Sequence, residues 1–126
     1  MSTCDFKAEV VSCYTENDVD IIGIGNDPIE PDKYIIISRL DEGDSPDESI
    51  GLQSARLGEE EISSCIQAIT VSKTDILVAI KPEKVRKVGD EAFHADLSGV
   101  TFNYRQLVRY LKKITAGSSI QLQITK

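Results

Sequence analysis

The stretch that decides the fold is Tyr34-Ile-Ile-Ile-Ser-Arg-Leu40, followed at once by the acidic segment Asp41-Glu-Gly-Asp-Ser-Pro-Asp-Glu48. Three consecutive isoleucines favour a β-strand, because branched side chains fit a pleated surface. A run that is apolar on both faces predicts a central strand, covered on both sides or on one side plus a partner. The acidic segment packs five carboxylates into eight residues and has to be solvated. This stretch therefore predicts both the centre of the fold and a candidate place for a partner.

The length of the chain, 126 residues, is that of one domain, and we expect residues 1–126 to form it. A domain of this size buries about two-thirds of the surface that its unfolded chain exposes. It can therefore hold a core without disulfides or metals. The chain has no Trp and only 6% aromatic residues, which predicts a core of Ile, Leu and Val.

Charge is distributed unevenly along the chain, whose formal net charge is −7. Residues 15–61 contain 14 acidic and 3 basic residues, a net charge of −11. Residues 62–126 contain 5 acidic and 10 basic residues, a net charge of +5. An acidic half repels nucleic-acid phosphates and membrane headgroups, and it attracts basic partners. The alternative is that the acidity only keeps the protein in solution.

The cysteines Cys4, Cys13 and Cys65 cannot all pair within one chain, and none lies in a C-x-x-C arrangement. The odd number of cysteines therefore predicts no disulfide framework. Because His94 is the only histidine, the sequence also predicts no metal site, and it predicts no cofactor. The N-terminal residues lack the basic start and apolar run of a signal peptide. No segment approaches the roughly 18 apolar residues of a membrane span. We therefore expect a cytoplasmic protein that binds no membrane.

Hydrophobic patterning predicts a chain built mostly of β-strands. The predicted strands are residues 6–14, 19–25, 34–40, 50–57, 62–72, 76–80, 92–97 and 120–124. The first two strands are separated by a polar turn cluster and predict an opening hairpin. The last strand is predicted to lie at a sheet edge.

Two helices are predicted in the second half of the chain. Pro82 at the first helical position and Gly89 just beyond the end indicate a short helix. A longer helix begins near Asn103, a good N-cap, and ends near Gly117. Its apolar stripe contains Tyr104, Leu107, Val108, Leu111 and Ile114, and its basic side contains Arg105, Arg109, Lys112 and Lys113. The predicted fold class is α+β: a largely antiparallel β-sheet with this amphipathic helix and the short helix packed on it.

No residue pattern in the chain points to an enzyme. A Ser or Cys nucleophile needs a nearby base, and no nucleophile motif accompanies His94. The acidic segment does not keep the spacing of a calcium-binding EF-hand loop. The basic side of the longer helix has little aromatic interleaving, and the net charge disfavours nucleic acid. A binding protein is the best interpretation.

A Tyr-led apolar strand ending in Arg39, an acidic loop and the step Ile50-Gly51 resemble the immunity protein 10 family of bacterial polymorphic toxin systems. The later order is similar: a strand pair over 66–80, a Pro-Glu helix over 82–89, an acidic strand and a C-terminal amphipathic helix. The resemblance covers most of residues 6–115. The chain departs from the family pattern at 63–65, where Ser-Ser-Cys replaces an expected Gly-rich, aromatic-flanked segment. The resemblance implies a protein that binds and neutralises a cognate toxin domain.

The first hypothesis is thus an immunity protein that occludes a toxin domain with a basic surface, such as a nuclease. Charge complementarity would raise the association rate, and buried contacts would set the lifetime of the complex. The predicted partner-binding carboxylates, with neighbouring strand side chains, are Asp41, Glu42, Asp44, Asp47, Glu48, Glu59, Glu60 and Glu61. A second hypothesis is a structural or adaptor subunit that forms a homo-oligomer through its apolar edge strands. A third is an enzyme acting through His94.

Overall fold

A computed structural model describes residues 2–41 and 44–125. Within these residues the chain forms ten β-strands, three α-helices and one 3₁₀ turn. In chain order they are β1 (Thr3–Lys7), β2 (Val10–Glu16), β3 (Val19–Gly25), β4 (Tyr34–Arg39), α1 (Pro46–Ser49), β5 (Ile50–Ser54), β6 (Ile62–Ser63), β7 (Ile66–Val71), β8 (Asp75–Ile80), the 3₁₀ turn Pro82–Lys84, α2 (Val85–Val88), β9 (Ala92–Asp96), α3 (Tyr104–Thr115) and β10 (Gln121–Ile124).

The strands form two five-stranded sheets. In the antiparallel sheet, β2 to β6 follow one another in chain order, so that each strand pairs with the next. In the mixed sheet the order is β1-β9-β8-β7-β10, with β1 parallel to β9 and β10 parallel to β7. The predicted α+β class is confirmed, but the single predicted sheet is in fact two.

The buried faces of the two sheets share one hydrophobic core, and β4 is the middle strand of the antiparallel sheet. Ile35 and Ile37 on β4 are 1% and 0% exposed, and they face Ile24 and Ile22 on β3. Leu52 on β5 faces Ile37 from the other side and is also fully buried. The mixed sheet contributes Phe6, Ile69, Val71, Ile76, Val78 and Phe93 to this core. The prediction that residues 34–40 form a central strand is confirmed.

Helix α3 packs against β2 and β3 and beside β10. Its Leu107, Leu111 and Ile114 are fully buried in the core. The predicted N-cap is confirmed, because the Asn103 side chain accepts a hydrogen bond of 3.0 Å from the backbone N–H of Gln106. None of the helices in the described chain is long and apolar enough to cross a bilayer.

Arg39, the last residue of β4, holds the C-terminal end of α3. Its Nη1 atom donates to the carbonyl oxygens of Ile114 and Ala116, at 2.9 and 2.7 Å. A cation at this end of a helix satisfies carbonyl groups that lack helical partners and interacts favourably with the helix dipole. Arg39 therefore joins the centre of the antiparallel sheet to the end of the helix.

Two of the predicted strands are wrong in extent because the chain changes sheet within them. The predicted strand 6–14 is β1 and β2: the N–H of Ala8 donates to Asp96 of the mixed sheet, whereas that of Glu9 donates to Gly25 of the antiparallel sheet. The predicted strand 62–72 is β6 and β7, interrupted at Ser64, whose φ of 55° is left-handed. Apolar alternation continues across both crossings, so it could not reveal them.

The short helix predicted between Pro82 and Gly89 is confirmed as the 3₁₀ turn followed by α2. Gly89 ends it with a φ of 96° and donates its N–H to the carbonyl of Val85 at 2.8 Å. This is the left-handed position at which glycine avoids the strain that a Cβ would cause.

We expect Ile37→Ala to lower the free energy of unfolding by about 2–5 kcal/mol, because it leaves a cavity between the sheets. Ile29→Ala is the matched control: it removes the same atoms from a side chain that is 85% exposed, and a change below about 0.5 kcal/mol is expected. Urea denaturation of both variants measures the difference. Equal losses would contradict the central position of β4.

Candidate partner-binding surface

The predicted partner-binding carboxylates lie in two loops at opposite ends of β5. The acidic segment and α1 precede Ile50, and the turn with Glu59, Glu60 and Glu61 follows Ser54. At about 3.3 Å per residue, the ends of this strand lie roughly 13 Å apart. Glu42 lies outside the described residues. The chain then returns along β5 as β6, so that the Glu61 carboxylate lies over Gly51, close to the end of α1, while Glu59 and Glu60 stay in the turn.

Asp47 in the acidic segment is engaged within the protein. Its carboxylate accepts hydrogen bonds from the hydroxyl and the N–H of Ser119 and from Nζ of Lys81, the last at 3.2 Å. The Ser119 bonds, followed by Lys81, lower the pKa of Asp47 below its ordinary value. This carboxylate therefore ties α1 to the end of β8 and the start of β10.

The other described carboxylates of the acidic segment are more exposed. Asp41 pairs with Nε of Arg39 at 2.8 Å, and 75% of its side chain is accessible. Glu48 accepts a hydrogen bond of 2.9 Å from the N–H of Asp44, and the Ser45 hydroxyl accepts one of 3.3 Å from the N–H of Glu48. These bonds form the N-terminal cap of α1 and leave Asp41, Asp44 and Glu48 at the surface.

The antiparallel sheet has a second face, directed away from the core, which we call the outer face. Strand register places Tyr14, Ile21, Ser38 and Gly51 in one row across β2, β3, β4 and β5. The neighbouring row contains Ser12, Gly23, Ile36 and Gln53. Tyr14 is 46% exposed, while Ile21 and Ile36 are half-buried. The helix α3 lies on the opposite, core-facing side, where Lys113 meets Asp20 and Tyr110 meets Thr15.

Carboxylates border the outer face on two sides. The Glu61 side chain lies over Gly51, where a Cβ would collide with its carboxylate group. Glu16 and Asp18 are exposed at the β2–β3 turn, beside Tyr14. Arg39 is the only Lys or Arg within the five strands of this sheet, and its guanidinium points to α3. The outer face is thus apolar at its centre and acidic at its border.

The loop between β3 and β4 extends this face. The Asp27 carboxylate accepts hydrogen bonds from the N–H groups of Ile29 and Glu30, at 2.8 and 3.0 Å, and the Glu30 bond is the larger cause of its lowered pKa. The loop presents Ile29, which is 85% exposed. Pro28 and Pro31 form one wall of a groove of about 280 Å³ whose floor contains Gly23 and Ile36.

Reasoning from the sequence named Glu61, which the structure lays beside the outer face, but it did not single out Tyr14 and Ile21. The signal for this surface was that β3 and β4 have apolar residues on both faces. Only one face of each strand packs against the core, so the apolar residues of the other face lie at the surface. Which face would remain open depends on where α3 and the mixed sheet pack. Periodicity contains no information about that choice.

His94 lies on the solvent-facing side of the mixed sheet, between two carboxylates. Its Nδ1 is 2.7 Å from Oδ1 of Asp5, and its Nε2 is 3.1 Å from Oδ2 of Asp75. Asp5 and then Asp75 raise the pKa of His94. Both ring nitrogens are engaged, which does not favour the role of a catalytic base.

The cysteines are poorly suited to nucleophilic chemistry, which requires the thiolate. Burial raises the pKa of Cys13 and of Cys65 to about 11, and it also raises that of Cys4. Within residues 2–41 and 44–125, no group of three or more His, Cys, Asp or Glu side chains is placed to hold a metal ion.

Comparison with known proteins adds no relative: no family model matches the chain, and no curated protein is significantly similar to it. The resemblance to the immunity protein 10 family therefore stays a prediction.

We expect Asp47→Ala to lower the free energy of unfolding by about 1–3 kcal/mol, because Lys81 and Ser119 lose their acceptor. Glu60→Ala, in an exposed turn, should change it by less than about 0.5 kcal/mol. Folding lowers the pKa of Asp47 from 3.8. Its contribution is therefore present above that pH and is lost as the pH falls through the folded-state pKa. Urea denaturation of both variants measures the loss, and the same measurement at falling pH follows how it disappears. Equal stabilities of the two variants above the folded-state pKa would contradict the role of Asp47.

The His94 contacts predict a pH-dependent contribution to stability. Folding raises the pKa of His94 above 6.5, so its contribution is fully present below that pH and is lost as the pH rises through the folded-state pKa. His94→Gln should therefore cost more stability at pH 5.5 than at pH 9. The difference should stay below about 1 kcal/mol, because solvent screens exposed ion pairs.

Urea denaturation of wild type and His94→Gln at both pH values measures this difference. The chain has no second histidine whose titration would interfere. A loss of the same size at both pH values would contradict the pairing of His94 with Asp5 and Asp75.

Proposed function

We propose that this chain is an immunity protein that binds a cognate bacterial toxin domain and neutralises it by occlusion. The observation that carries the proposal is the outer face, where exposed Tyr14 and half-buried Ile21 lie between the carboxylates of Glu16 and Glu61. A surface with an apolar, aromatic centre and a charged border has the composition of a specific protein interface. The sequence resemblance supports a toxin as the partner.

The charge of this face determines what kind of toxin it fits. Enzymes that act on nucleic acid need cationic clefts for the phosphate backbone. An acidic surface placed over such a cleft repels the natural substrate and pairs with the cations that would bind it. A nuclease domain is therefore the partner that this face suits best.

Two kinds of side chain contribute to different steps of binding. Carboxylates at the border act over about 8–10 Å at physiological ionic strength and speed the encounter. Tyr14 and Ile21 at the centre lose water only in the final complex and so control its dissociation. Tyr14 is the residue that we expect to act as the anchor.

In this proposal the acidic segment has a divided role. Asp47 stabilises the fold through Ser119 and Lys81, whereas Asp41, Asp44 and Glu48 add to the negative potential. The engaged state of His94 and the raised thiol pKa values support a binding protein rather than an enzyme. An immunity protein of this kind protects the producing cell from inside, so we place it in the cytoplasm.

The charge part of the proposal is tested with the C-terminal domain of the protein encoded by the upstream open reading frame, which this proposal expects to be the toxin. Glu16→Lys combined with Glu61→Lys should slow association about tenfold or more at low salt and reduce its salt dependence. The matched control is Glu83→Lys with Glu91→Lys, two exposed acids outside the antiparallel sheet, which should change the rate less than about twofold. Stopped-flow mixing measures the rates. Equal slowing by both pairs would show that only net charge matters.

The apolar part is tested by dissociation. Tyr14→Ala should raise the dissociation rate at least about tenfold, as loss of an aromatic anchor does, while leaving the association rate nearly unchanged. The control Leu77→Ala alters an exposed side chain on the mixed sheet, 39% accessible against 46% for Tyr14, and should leave both rates unchanged. Failure of the upstream domain to bind at all, or an unchanged complex lifetime, would refute the proposed surface.

A second candidate, a subunit that assembles through edge strands, is favoured by one observation. β2 is a seven-residue edge strand without Lys or Pro, and these are residues that commonly protect such edges. Light scattering distinguishes the two functions, because assembly predicts a stable homo-oligomer of the isolated protein. A monomer that binds the toxin domain one-to-one supports the immunity function.

A further inference from the structure

A groove of about 670 Å³ runs between α3 and the end of β10, on the opposite side of the antiparallel sheet from its outer face. Four of its eight lining residues are basic, and none is acidic. The basic residues are Arg105, Arg109, Lys112 and Lys113. In a chain with a net charge of −7, this is a concentrated patch of the opposite sign.

Three of these four cations have no carboxylate partner within the described residues. Lys113 forms an ion pair of 3.1 Å with Asp20 and lies 5.0 Å from the centre of the Tyr110 ring. Arg105, Arg109 and Lys112 are exposed and form no ion pair in that part of the chain. The groove therefore keeps an uncompensated positive potential.

The floor of the groove is apolar. A helix face that only contacts solvent would not need apolar residues between its cations. Val108 is half-buried and Ala116 is exposed, and Ile124 of β10 is 38% exposed. The Tyr104 hydroxyl donates to the carbonyl of Thr125 at 2.9 Å and holds the end of β10 against α3. This bond fixes the β10 side of the groove relative to α3, so a ligand would have to order only the exposed cationic side chains.

From this combination we propose that the α3–β10 groove is a second binding site, which takes a short acidic segment of a partner protein with apolar side chains between its carboxylates. Arg105 and Arg109 are separated by about 6 Å along the helix axis, at 1.5 Å per residue. Carboxylates on alternate residues of an extended segment are about 6.6–6.8 Å apart. Because neighbouring side chains of an extended segment point to opposite sides, the segment can pair both arginines on one side and direct the intervening side chain to Val108 and Ile124 on the other.

The chemistry of the groove favours a peptide over the other polyanions. A nucleic acid would satisfy the cations but would leave the apolar floor without a partner. A long nucleic-acid strand also extends beyond the eight residues that line the groove, whereas a short segment meets only their local positive potential. The site is distinct from the outer face proposed for the toxin and does not depend on that function.

The test uses the full chain and a fluorescein-labelled octapeptide that alternates Glu with Leu, with an octapeptide that alternates Glu with Ser as the charge-matched control. Fluorescence anisotropy should show at least tenfold tighter binding of the Glu-Leu peptide. Arg105→Gln combined with Arg109→Gln should weaken it at least tenfold. Arg86→Gln with Lys87→Gln removes the same charge from exposed positions of α2 and should change it less than twofold.

Val108→Thr separates the contribution of the floor from that of charge, because it keeps the shape of the side chain and adds a hydroxyl. It should weaken the Glu-Leu peptide severalfold and leave the Glu-Ser peptide unchanged. Circular dichroism melting curves that match wild type show that each variant is folded.

Three outcomes would overturn the assignment. Equal affinity for the two peptides would reduce the groove to a cationic patch without an apolar subsite. Equal weakening by the α3 and α2 variant pairs would remove the groove as the place of binding. Tighter binding of a 12-nucleotide single strand, or of phosphatidylserine vesicles, with the same dependence on Arg105 and Arg109 would replace the peptide by that ligand.

Discussion

The alternation of side chains along β4 is the constraint on which the rest of the structure depends. Ile35 and Ile37 point into the core, and Arg39 at the end of the same row points to the last carbonyls of α3. One face of one strand therefore anchors both the sheet packing and the helix. A shift of register by one residue would move all three side chains to the outer face, so the register is strongly specified.

This arrangement separates two surfaces of opposite charge. Carboxylates of the N-terminal half border the outer face of the antiparallel sheet. Cations of the C-terminal half lie on α3, on the other side of that sheet. Ions screen charges beyond about 8–10 Å at physiological salt, so each surface keeps much of its own potential despite the net charge of the chain. A protein of this kind can present distinct sites to partners of opposite sign.

The two acidic loops show why a count of carboxylates does not locate an interface. Asp47 and Glu61 look equivalent in the sequence, since both lie in exposed-looking acidic runs. The structure uses Asp47 to join α1 to Ser119 and Lys81, and it lays Glu61 over Gly51 beside the apolar row. The difference arises from Lys81 and Ser119, which are distant from Asp47 in the chain, and from the absence of a side chain on Gly51, over which Glu61 lies.

The sequence by itself determined the local elements: the central strand at 34–40, the hairpin before it, the cap at Asn103 and the amphipathic helix that follows. These depend on branching, periodicity and capping, which act over a few residues. Only the tertiary structure decided that the strands divide between two sheets at Ala8 and Ser64, which face of β3 stays open, and that Val108 lines a groove. Those outcomes depend on contacts between segments that are distant in the chain. The sequence could not predict them, because the apolar alternation of a strand is the same whichever sheet the strand joins.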